Sequence, residues 1–83
     1  MNRYHEIISA IRGGNPAAAL VIIEPLLGAS PEEPELLALR GLALAVSGRA
    51  SDAADSLREA IRHASSPADI LKYTGNLARL LAQ

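Results

Sequence analysis

Apolar residues recur along this chain at helical spacing. Tyr4, Ile7, Ile8 and Ile11 fall at i, i+3, i+4 and i+7, one face of a helix, and Gly13-Gly14 follows as a left-handed stop. A first helix is predicted over about 2–12. Asn15 then offers a side-chain oxygen as N-cap, Pro16 suits the first helical position, and apolar residues continue to Leu27 before Gly28, predicting a second helix over about 16–27. Ser30-Pro31-Glu32-Glu33 reads as another start signal, for a third helix running through LLALRGLALAV to Ser47 before Gly48. Ser51 is the candidate cap of a fourth helix over about 52–64, with Ala53, Ala54, Leu57, Ala60, Ile61 and Ala64 as its buried stripe. Ser66-Pro67-Ala68-Asp69 opens a fifth helix to about Leu81. Short links between consecutive helices favour antiparallel neighbours, so the pattern predicts an all-α chain of helical hairpins.

Pro25 interrupts this pattern. A proline inside a helix removes a backbone hydrogen bond and crowds the carbonyl four residues back, here that of Val21, so a bend is expected. Either it is a tolerated kink on the outer side of the helices or it is a hinge for partner binding.

The stretches GNPAAALVIIEPLL (14–27) and GRASDAADSLREAI (48–61) correspond at an offset of 34 residues. Gly14 meets Gly48, Ala19 meets Ala53, Ile23 meets Leu57 and Leu27 meets Ile61. In the odd-numbered helices Ile7, Gly41 and Gly75 share one register, as do Ala10, Leu44 and Ala78. A helix-turn-helix unit of this length resembles the tetratricopeptide repeat, whose pattern is W-x₂-L-G-x₂-Y, then A-x₃-F, then P. The central copy carries it best: Leu37 for the Trp, Gly41 as the small residue, Leu44 for the Tyr, Ala53 and Leu57 for the A-x₃-F pair, Ala60 as a further small site, and Pro67. It departs at Arg40, which occupies the Leu position, at Ile7, which replaces the small residue in the first copy, and in having aliphatic residues for every large aromatic.

The resemblance implies repeats over about 1–33 and 34–67 and a terminal half-repeat or capping helix over 68–83, stacked as a short right-handed solenoid of about five helices. Such arrays hold peptides or helices on a concave surface made by the first helix of each repeat. The implied protein-binding residues here are Tyr4, Ile8, Ile11, Arg12, Ala38, Leu42, Ala45 and Val46, with Lys72, Asn76 and Arg79 in the third copy. That surface is apolar with one Tyr and a basic end, suiting an amphipathic helix or extended apolar segment with an acidic residue. The same residues could instead be covered by further repeats or by a second copy of the chain. Lys72 and Asn76 also resemble the first pair of the carboxylate clamp found in some tetratricopeptide co-chaperones. The rest of a clamp would come from following repeats.

Composition narrows this picture. The chain has 83 residues, enough for one small domain that buries about two-thirds of its unfolded surface. Apolar residues make up 49%, yet Phe and Trp are absent and Tyr occurs twice, so the core must be Leu, Ile, Val and Ala; Ala-rich sequence favours helices over strands. The net charge of −1, with both signs mixed along the chain, gives no basic footprint for nucleic acid or an anionic membrane. Cysteine is absent, which removes disulfides, thiolate nucleophiles and cysteine metal sites and leaves the cytoplasm as the default location. The first residues lack the uninterrupted apolar core of a signal peptide, and no run of about 20 apolar residues could span a membrane.

No catalytic, metal or cofactor constellation emerges. His5 and His63 lack HExxH spacing and read as surface or helix-end residues; His63 would favour a helix C-terminus. Glu32, Glu33 and Glu35 read as helix-start acids rather than a general acid and base, and Gly13-Gly14 lacks the remaining signature of a phosphate loop. The expectation is therefore a non-catalytic, cofactor-free protein-interaction module. Two alternatives remain: an N-terminal interaction or oligomerisation domain of a larger bacterial enzyme, and a homo-oligomeric structural protein.

Overall fold

The computed structural model describes residues 3–82, and these form an all-α fold without strands. Its helices are α1 (Arg3–Arg12), α2 (Pro16–Ala29), α3 (Pro34–Val46), α4 (Ala50–His63) and α5 (Pro67–Leu81). Residue 2 of the first expected helix and residue 83 of the last segment lie outside the described residues. Each helix packs against the next in sequence, most extensively α3 against α4, and α1 also reaches α3.

Two turns have the same construction. At the end of α1, Gly14 takes φ +78°, its N–H donates to the Ile11 carbonyl (3.1 Å) and the Asn15 N–H donates to Ala10 (2.9 Å). At the end of α3, Gly48 takes φ +83°, its N–H donates to Ala45 (3.0 Å) and the Arg49 N–H donates to Leu44 (2.9 Å). This pairing of bonds around a left-handed glycine is the Schellman closure, and both glycines occupy a backbone conformation that a side chain would strain. The two closures are related residue for residue by the 34-residue offset.

Helix starts follow the sequence at two places and depart from it at two others. The Asn15 side chain accepts the Ala18 N–H and the Ser66 hydroxyl accepts the Asp69 N–H, so both caps form with proline at the first helical position. Before α3 the start signal is displaced. Helix α2 runs through Gly28 to Ala29, and Ser30 ends it, donating its N–H to the Leu26 carbonyl. Pro34 decides where α3 begins: the residue before a proline is driven out of helical conformation, Glu33 sits at φ −70° and ψ 110°, and the first helical bond runs from Leu37 N–H to the Glu33 carbonyl. Before α4 the cap position is Arg49, not Ser51. The chain leaves the Schellman turn and re-enters a helix at once, with the Ala53 N–H donating to the Arg49 carbonyl and the Arg49 guanidinium 2.6 Å from Asp52. Pro25 lies on the exposed side of α2, which remains assigned as helix on both sides of it.

Helix α3 is the centre of the molecule and is buried on several sides. Leu36, Leu39 and Ala43 join Ile7, Ala19 and Ile23 in one core, while Leu37, Ala38 and Leu44 join Ala53, Ala54, Leu57, Ala60, Tyr73 and Leu80 in the other. An all-round apolar helix has to be covered all round, which explains why α3 lacks a single polar face. The expected stripe of α4 is buried at Ala53, Ala54, Leu57 and Ala60 and half-buried at Ile61 and Ala64; Ser56 is also buried, its hydroxyl donating to the Leu37 carbonyl at 2.8 Å. Gly41 permits the closeness of α3 and α4. A Cβ there would lie 2.8 Å from Leu57 Cγ and 3.2 Å from the Ala53 carbonyl oxygen. Arg40, the residue that breaks the repeat pattern, turns to α2 and pairs with Glu24 at 3.1 Å.

Candidate functional site

Three helices with one sequence register border a shallow trough of about 310 Å³. Helix α1 supplies Ile8, Ile11 and Arg12; α3 supplies Glu35, Ala38, Leu39, Leu42 and Val46; α5 supplies Lys72 and Asn76. The spacing 35, 38, 42, 46 puts the α3 residues on one helical stripe. Ile8 and Val46 keep 36% and 53% of their surface in water, so the trough has an exposed apolar lip.

Ile8, Ile11, Arg12, Ala38, Leu42, Val46, Lys72 and Asn76 were expected on a common surface, and the structure brings them together. Tyr4, Ala45 and Arg79 are placed elsewhere. Tyr4 lines a neighbouring depression with Leu26, Ser30, Glu33 and Leu36, one turn below the trough. Ala45 is half-buried against the α4-side core. Arg79 lies one turn beyond Asn76 and donates a hydrogen bond to its side-chain oxygen. Glu35 and Leu39 were not anticipated as lining residues. Glu35 was read as helix-start chemistry, yet its spacing of three and seven from Ala38 and Leu42 was the signal that it shares their face.

Glu35 is the electrostatic hub. Lys72 Nζ lies 3.3 and 3.4 Å from its two carboxylate oxygens, and the Tyr73 hydroxyl donates to one of them at 3.4 Å. The same ammonium stands 5.7 Å from the centroid of the Tyr73 ring, within cation–π range. Burial, reinforced by the Glu35 charge, pushes the Tyr73 phenol up to about 12. Tyr4 is also raised, by burial first and then by Glu33 and Glu35. Neither phenol supplies a base near neutral pH. Arg12 is exposed and makes no hydrogen bond or ion pair among the described residues. With Glu35 balanced by Lys72, the uncompensated charge at the trough is positive.

Among the described residues, no three His, Cys, Asp or Glu side chains gather as a metal site, and no helix is long and apolar enough to cross a membrane. His5 is exposed on α1, and His63 lies in the last turn of α4 with Nε2 3.6 Å from Glu59. No family model matches the chain, and no curated protein or solved structure matches it.

Proposed function

We propose that this chain is a non-catalytic, tetratricopeptide-like interaction module whose trough holds an amphipathic helix or an extended apolar segment of a cytoplasmic protein, with an acidic residue of that segment beside Arg12. The observation that carries this reading is the trough itself: apolar lips at Ile8 and Val46 flank a floor that includes Leu42, with an unpaired guanidinium at the margin. A concave apolar strip edged by one sign of charge fits a helix or strand that presents apolar side chains inward and a carboxylate at the edge. The repeat architecture is supported by the two Schellman closures 34 residues apart and by the close α3–α4 approach at Gly41.

The test is selection of random displayed peptides on the immobilised chain, followed by titration of the selected sequences against variants. Peptides with apolar residues at helical or alternating spacing and an Asp or Glu are expected. Leu42→Asp and the more exposed Val46→Asp should each weaken binding at least about 10-fold with the helical circular dichroism retained, and Arg12→Glu should weaken the acidic peptides selectively. Selected peptides that bind all three variants as well as the original chain would place the binding surface elsewhere.

A further inference from the structure

Helix α5 has two unlike sides. Tyr73 and Leu80 are buried in the core, whereas Ala68, Leu71, Thr74, Gly75, Ala78 and Leu81 are all exposed and form a continuous stripe on the opposite side. The stripe is free of charge, since Asp69, Lys72 and Arg79 fall on other positions of the helix. Leu71 and Leu81 leave 74% and 60% of their surface in water, among the most exposed large apolar residues described. Spacings of three and four along 71, 74, 78 and 81 are those of a helix–helix seam.

The fold itself indicates what covers such a face. Leu71, Gly75 and Ala78 stand 34 residues after Leu37, Gly41 and Leu44, the positions at which α3 receives α4. On α3 the face is occupied by a helix packed so closely that Gly41 has no room for a Cβ; on α5 a Cβ at Gly75 would meet nothing. The other end of the molecule needs no cover, because outside the trough α1 exposes Arg3, His5, Glu6 and Ser9, with Arg3 and Glu6 3.5 Å apart. Head-to-tail stacking of α1 on α5 would therefore bury charge against an apolar stripe.

We infer that the outer face of α5 docks against the same face of a second copy of this chain, as an antiparallel helix pair about a two-fold axis between residues 74 and 75. In that register Leu71 meets Ala78 of the other copy, Leu81 meets Ala68, and Thr74 meets Gly75, so every large side chain faces a small one. A parallel pair would set Leu71 against Leu71 and Gly75 against Gly75, leaving a bulge beside a gap. The stripe carries no charge, so the two-fold axis brings no like charges together across it. The seam is one helix long and below the size of a standard interface, so the dimer dissociates in the micromolar range or above. This inference concerns a different side of α5 from the trough and stands or falls separately from the proposed function.

Sedimentation equilibrium of the chain at concentrations up to about 1 mM tests it together with single-cysteine variants, which are clean reporters because the sequence has no cysteine. A monomer–dimer equilibrium is expected, with Leu71→Glu raising the dissociation constant at least about 100-fold at unchanged helical circular dichroism. Under mild oxidation Thr74→Cys should form a covalent dimer, and Val46→Cys, on the trough, should remain monomeric. A chain that is monomeric throughout, a dimer that survives both Leu71→Glu and Ala78→Glu, or crosslinking at position 46 in place of 74 would overturn the inference.

Discussion

The side of α3 that faces α4 and the outer side of α5 are the same structural position read twice, and only one is covered. On α3, Leu37 and Leu44 are buried and Gly41 touches α4; on α5, Leu71 and Ala78 are exposed and Gly75 is open. Local sequence is therefore a poor guide to what a residue contributes. A glycine in a helix costs stability through chain entropy wherever it stands, and only a neighbour that needs the missing Cβ turns that cost into a gain.

The largest separation between the two regions is expected from leucine truncation. Leu57→Ala removes a fully buried side chain from the α3–α4 seam and should cost about 2 to 5 kcal/mol in urea unfolding, whereas Leu71→Ala, at concentrations where the chain is monomeric, should stay within about 0.5 kcal/mol of the original. Equal losses at the two sites would mean that the outer face of α5 is packed within the monomer.

One substitution should then have opposite signs at the two glycines. Gly41→Ala forces a methyl group toward Leu57 Cγ and the Ala53 carbonyl and should destabilise by about 1 to 3 kcal/mol, helix propensity offsetting part of the strain. Gly75→Ala meets no neighbour and should stabilise the monomer by about 0.5 to 1 kcal/mol. Thermal unfolding of both variants measures the contrast directly, and a destabilising Gly75→Ala would refute the open register.

A polar contact gives a smaller version of the same comparison. Ser56→Ala removes the buried hydroxyl that ties α4 to the Leu37 carbonyl and should cost about 0.5 to 1.5 kcal/mol, while Thr74→Ala on the open face should be close to neutral.

The subtlest effect distinguishes the two sides of α5. Tyr73 is held protonated on the core side, with its phenol moved from 10.0 in the free side chain to about 12. Because the folded state keeps its proton longer than the unfolded state, this contribution to stability is complete below pH 10 and is lost as pH rises from 10 to about 12. Tyr73→Phe should flatten the alkaline fall of the unfolding midpoint in that window, leaving the smaller part due to Tyr4. An unchanged alkaline profile would show that the phenol titrates alike in both states.

Much of the fold was legible in the residues. The caps at Asn15 and Ser66 and the left-handed stops at Gly14 and Gly48 act through neighbours a few residues away, so local pattern suffices to read them. The start of α3 was misplaced because Ser30-Pro31 carries the composition of a cap, while Pro34 restricts Glu33 and sets the boundary. Ser51 lost the capping position to Arg49 because the Schellman turn returns the chain to a helix without an intervening linker. In the trough, positions on a common stripe were readable from spacing, but Tyr4, Ala45 and Arg79 depended on how the helices are set against one another.

By itself the sequence determined the helices, their turns and the 34-residue register, because periodicity, proline, glycine and capping side chains act within a few residues along the chain. Tertiary structure alone decided that Gly41 is locked and Gly75 free, that Arg40 answers Glu24, and that Glu35 joins Lys72 and Tyr73 across 37 and 38 residues of chain. Those outcomes depend on which surfaces meet. Burial and ion pairing are properties of the meeting, and identical residues in one register can differ in both.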